Sequence, residues 1–104
     1  MRYSPASALL SVDGRSVTIG FFGFAAVAGR CDASYVGVTA ESDAAVAIVI
    51  QTVLSPAYGC QLAIATRYVN VALQGPLGGR VVVDENGQVI VVCPANPVPG
   101  SPVC

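Results

Sequence analysis

Histidine and tryptophan are absent from these 104 residues, every one of the five basic residues is arginine, and charged side chains make up only 11% of the chain. Each lack excludes something. Without imidazole or lysine ammonium, a serine or cysteine nucleophile has none of the bases that ordinarily activate it, so no enzyme is expected. A zinc site loses its nitrogen donors, no C-x-x-C pair exists, and the thiols are far apart, so no metal and no cofactor is expected. Five arginines against six acidic residues leave a formal charge of −1 and no basic stripe for a phosphate backbone, which excludes nucleic acid as the expected partner. The longest nearly uninterrupted apolar stretch, residues 44–54, is too short to cross about 30 Å of hydrocarbon as a helix. No transmembrane segment is expected.

What is present is apolar and small. Hydrophobic residues form 54% of the chain, beside eleven glycines and seven prolines, and the length suits one domain. The arginine-only basic set (Arg2, Arg15, Arg30, Arg67, Arg80) with abundant Ala, Val, Gly and Pro is what GC-rich codon usage produces, which points to a high-GC bacterium.

Val and Ile fall in short runs broken by Gly, Pro, Asp or Asn, the pattern of strands between turns. Residues 6–12 are a first strand, and Asp13-Gly14 a hairpin signal. Residues 16–22 alternate, with Val17, Ile19 and Phe21 on one face. Residues 23–29, punctuated by glycine, form a bulge, a bend or a loop. Residues 35–41 alternate again as a half-buried strand, with Val36, Val38 and Ala40 on one side and Tyr35, Thr39 and Glu41 on the other. Residues 44–50 are apolar on both faces, as a central strand is; the β-branched residues there argue against a helix. From 61 to 73 the inward phase changes near Thr66-Arg67, which a bulge would reconcile. Asn86-Gly87 between two Val-rich runs predicts a two-residue hairpin pairing Glu85 with Gln88, Val83 with Ile90 and Val81 with Val92. The fold expected is therefore all-β, a Greek-key two-sheet sandwich of about seven strands over residues 1–93, with a small β-barrel as the rival architecture.

Residues 94–104, rich in proline, cannot supply a regular ladder of amide donors and read as an irregular arm. Four cysteines allow three pairings. Cys93 and Cys104 flank the arm, so a bond between them would tie it back, and Cys31 with Cys60 then remains. Paired thiols persist in oxidising compartments, which makes a secreted or cell-surface location the expectation. Met1-Arg2-Tyr3-Ser4-Pro5 and the short apolar run after it do not make a secretory signal, so the expectation includes a signal removed from the mature chain.

The remaining constellations carry bland readings. Residues 75–80 hold glycines like a phosphate-cradling loop, but lead into a strand and lack the lysine, so they read as a turn. Glu41 with Asp43, and Asp84 with Glu85, are close acidic pairs at turn positions, where solvated carboxylates are ordinary. The aromatic residues are better candidates for function. Phe21, Phe22 and Phe24 cannot all point to one face of a regular strand, which leaves at least one to meet a partner unless a bulge buries all three.

In order, Asp13-Gly14-Arg15, Cys31, Val38-Thr39-Ala40-Glu41-Ser42, Cys60 and the P-L-G-x-R-x-V-x-D element of residues 76–84 make a pattern that resembles small exported or lipid-anchored actinobacterial domains of unknown function. The resemblance covers roughly residues 12–92. It implies a Cys31–Cys60 bridge and a location outside the cytoplasm, and it implies no activity.

Three readings of function follow from the residues. The first is a non-catalytic, disulfide-stapled binding or structural module outside the cytoplasm, meeting an unidentified protein or itself through Phe21, Phe22, Phe24, Ala95 and Asn96. The second is a secreted protease inhibitor whose reactive loop is the ring from Cys93 to Cys104. The third is a subunit of a surface or virion assembly that pairs through exposed edge strands.

Overall fold

Val17, Ile19 and Phe21 are each completely buried, on the inward face of a nine-residue strand, and this stripe organises the molecule. The computed structural model describes residues 5–27 and 29–94. Among them are eight strands: β1 (Pro5–Leu10), β2 (Ser16–Phe24), β3 (Ser34–Glu41), β4 (Ala45–Leu54), β5 (Ile64–Ala72), β6 (Val81–Val83), β7 (Val89–Ile90) and β8 (Val92–Cys93). They form two four-stranded sheets, ordered β5-β2-β1-β8 and β3-β4-β6-β7. The chain is thus the all-β two-sheet sandwich expected, with two separate sheets rather than a closed barrel. Of residues 44–54, Ala45–Leu54 form a strand, not a helix, because β3 and β6 flank it on both sides. β1 with β8 and β4 with β6 pair in parallel, which residue patterning alone does not report.

The core lies between the sheets. Val69 and Val71 from β5 join the β2 stripe, and Val46, Ile48, Val82 and Ile90 face them from the second sheet. Removing each such side chain from water contributes about 1.5 to 3 kcal/mol. Tyr35 enters from β3 edge-on to Phe21, with ring centroids 5.0 Å apart, and its hydroxyl accepts the Phe24 amide at 2.9 Å. The phenol is half-buried, and this bond satisfies its polar tip.

β3 and β5 close one side of the sandwich, and their approach depends on Gly37. A Cβ there would overlap Cγ2 of the buried Val71 and press on Val69. Gly37→Ala is therefore expected to cost about 1 to 3 kcal/mol through overpacking, despite alanine's usual advantage over glycine. Urea unfolding checks this: a midpoint equal to or above wild type would mean that the sheets do not meet there as described.

Two local expectations are corrected. β2 and β5 pair in unbroken register from Ser16 with Ala72 to Phe24 with Ile64, so no bulge interrupts β5. The inward position goes to Arg67, and Ile64 turns outward, 61% exposed. Arg67 can face in because its guanidinium donates to the carbonyls of Phe24 (2.6 Å) and Ala33 (3.0 Å) and lies over the Tyr35 ring, capping the core with matched groups. The second correction is the hairpin, which pairs Val82 with Ile90 and Val83 with Val89, one residue from the expected register. Asp84 Oδ1 accepts the amides of Asn86 (2.8 Å) and Gln88 (3.0 Å), and only Gly87 takes positive φ. That builds a three-residue loop instead of the two-residue primed turn. A one-residue slip exchanges faces: Val82 and Ile90 go inward, Val81, Val83 and Val89 outward. The chain then crosses to the first sheet, where β8 joins β1.

Candidate functional site

The β-connections gather at two poles. At one, the β1–β2 loop, the β3–β4 turn and residues 73–80 meet. The Asp13 carboxylate accepts the Ser11 hydroxyl (2.6 Å) and the Arg15 amide (3.0 Å), bonds that hold its pKa below the ordinary aspartate value, the serine contributing most. Leu77 plugs the core end, and its amide donates to the Gly14 carbonyl at 2.8 Å. Arg80 then fans out. Its Nη1 donates to Glu41 Oε1 (3.0 Å) and the Ser42 carbonyl (3.3 Å), Nε to Leu77 (3.1 Å) and Nη2 to Pro76 (3.1 Å). Glu41 Oε2 accepts the Gln74 amide at 2.9 Å.

Contrary to the expectation for acidic turn residues, Glu41 is not solvated: its side chain is 8% exposed and that of Arg80 16%. Beside the pair lies a cleft of about 340 Å³ lined by Glu41, Ser42, Asp43, Gln74, Gly75 and Arg80. Its chemistry is inward-looking. The guanidinium is committed to a carboxylate and three carbonyls, so it serves as a clamp on residues 74–80 and not as a cradle for an anion. The V-T-A-E-S and P-L-G-G-R elements, 39 residues apart at Glu41 and Arg80, meet here for a structural reason. Among the described residues, no three His, Cys, Asp or Glu side chains converge as metal ligands.

At the opposite pole, Cys31 and Cys60 are bonded, with Cα atoms 5.6 Å apart. Cys31 ends a short 3-10 turn, Gly29–Cys31, on the β2–β3 connection, and Cys60 lies on the β4–β5 connection. The bond therefore ties together two of the crossings between the sheets, β2–β3 and β4–β5. The Ala57 amide donates to the Arg30 carbonyl at 2.7 Å, and Asp32 Oδ1 accepts the amides of Val27 and Ala33. The expected Cys93–Cys104 bond falls on residue 104, and Ala95 and Asn96 likewise lie outside the described residues.

The three phenylalanines separate. Phe21 is wholly buried and cannot meet a partner, which corrects its place among the contact candidates. Phe24 is half-buried, and Phe22 is 63% exposed. On the outer face of the first sheet Phe22 lies opposite Thr66, and Tyr68, 67% exposed, lies opposite Gly20. Asn70 donates to Thr18 Oγ1 at 3.0 Å on the same face. The result is an aromatic patch in a polar frame.

The outer face of the second sheet is of another kind. β3 presents Val36, Val38 and Ala40 there; Tyr35, Gly37, Thr39 and Glu41 face inward. The half of β3 exposed to solvent is thus its valine-bearing one. Strand pairing sets Ala47, Val49 and Gln51 beside them, then Val81 and Val83 of β6 and Val89 of β7. Nothing in the alternation of β3 reveals this, but Tyr35, whose hydroxyl needs a partner when buried, is a signal that its own face is the inner one.

No helix among the described residues is long and apolar enough to cross a membrane. Compared with protein-family models, with curated proteins and with solved structures, the chain matches none.

Proposed function

We propose that the chain is a non-catalytic binding or structural module, stapled by its disulfide and working outside the cytoplasm, that meets a protein partner through the outer face of its first sheet. The observation that carries this reading is the exposure of Phe22 and Tyr68, 63% and 67%, on one face. Exposed aromatics framed by hydroxyl and amide groups have the composition of interface anchors. Glu41 and Arg80 of the cleft, by contrast, are engaged with each other and with backbone. A bond between Cys31 and Cys60 supports an oxidising compartment, in agreement with the resemblance to exported domains.

Placing a photo-crosslinking benzoylphenylalanine at position 22 in the cell that makes the protein tests the surface. A discrete heavier adduct is expected from position 22 and none from position 58, where Tyr58 is fully exposed at the disulfide pole. Adducts from position 58 alone, or from neither, would remove the aromatic face as the binding surface.

A further inference from the structure

We infer that the outer face of the second sheet is the contact between two copies of this chain. The surface concerned is not the aromatic one, so the two proposals stand or fall separately. One row runs across all four strands, Ala40, Ala47, Val83 and Val89, and the next sets Val38 beside Val49. Val36, Val38, Val81 and Val89 are 43% to 66% exposed, and no strand position on this face carries a charge. Scattered exposed valines are ordinary; a contiguous, uncharged sheet face of them marks a contact surface.

Area chooses the occupant. At about 3.4 Å per residue and about 4.8 Å between strands, the face covers on the order of 350 Å² of flat sheet. Two such faces, with side-chain relief, together remove on the order of 1,000 Å² from water, the size at which a specific interface begins. Flatness matters as much as area. Short Val and Ala side chains of similar height form a surface that fits itself under a two-fold rotation, and stacked sheets pack in this manner about 10 Å apart.

Sedimentation equilibrium from micromolar to millimolar concentration decides it. The wild-type chain is expected to dimerise with a concentration-dependent mass, and Val38→Lys to weaken the dimer at least about a hundredfold, because the two-fold places the new charge twice in one apolar contact. Val89→Lys, at a more exposed site, provides the same reading should Val38→Lys fail to fold, and Tyr58→Lys is expected to leave the dimer unchanged. A monomer at every concentration overturns the inference, whether or not the protein floats with phosphatidylcholine vesicles. So does a dimer that survives both valine substitutions.

Discussion

Arg80→Ala is expected to lower the unfolding free energy by about 3 kcal/mol, the low end of what breaking a buried ion pair costs. The low end applies because the Arg80 side chain keeps 16% exposure. The cost has two origins. Glu41, 8% exposed, would be left with only the Gln74 amide as a partner, and the carbonyls of Ser42 and Pro76 would lose the guanidinium donor, while that of Leu77 keeps the backbone amide of residue 80. Glu41→Ala should cost a similar amount by leaving the guanidinium without its carboxylate. Changing both to apolar residues of similar size, Arg80→Met with Glu41→Leu, should recover much of the loss, since neither charge is then stranded. Urea unfolding of wild type, the single variants Arg80→Met and Glu41→Leu, and the double variant completes the cycle. Additive losses in the double variant would show that the two side chains do not act as one clamp.

Cys31→Ser together with Cys60→Ser is expected to cost about 3 to 4 kcal/mol. The bond closes a segment with a sequence separation of 29, and the loop-closure entropy it removes from the unfolded chain has that magnitude. Set against a typical total of about 5 to 15 kcal/mol, the loss approaches the whole stability of a small domain. Substitution, rather than a reductant, confines the effect to this one bridge. The decisive observable is the unfolding free energy from urea titration, with an m-value equal to or above that of wild type because the unbridged unfolded chain exposes more surface. An unfolding free energy within error of wild type would mean that the two crossings are held together by their packing and the Ala57–Arg30 hydrogen bond without the sulfurs.

Those parts of the fold governed by local pattern were legible in the residues. Val17, Ile19 and Phe21 alternate because one face of β2 is buried, and 44–50 is apolar on both sides because β4 is central; both follow from side-chain period and burial. Long-range and side-chain-specific features were not. The register of the 84–88 turn is decided by the Asp84 carboxylate capping two amides, which outweighs the preference of Asn-Gly for a primed turn. The inward phase of β5 runs through Arg67 because carbonyls from residues 43 and 34 positions away receive it, and no local window contains them. The same holds for Glu41, whose partner stands 39 residues on. For the surfaces, the sequence showed that Phe21, Phe22 and Phe24 could not share a face, but only the packing of β2 shows Phe22 to be the outward one. The valine face of β3 was hidden more deeply. Hydropathy alone would turn Val36 and Val38 inward, whereas Tyr35, Gly37 and Thr39 fill that side, with Gly37 making room for Val71.

The central claim, a stapled module that works outside the cytoplasm, is tested most directly by the state of two sulfurs in the cell that makes the protein. Acid quenching, alkylation before any reduction and peptide mapping would read it. Cys31 and Cys60 are expected to escape alkylation and to emerge as one linked pair of peptides, as the disulfide and an oxidising compartment require. Recovery of both as alkylated free thiols from freshly quenched cells would contradict the account.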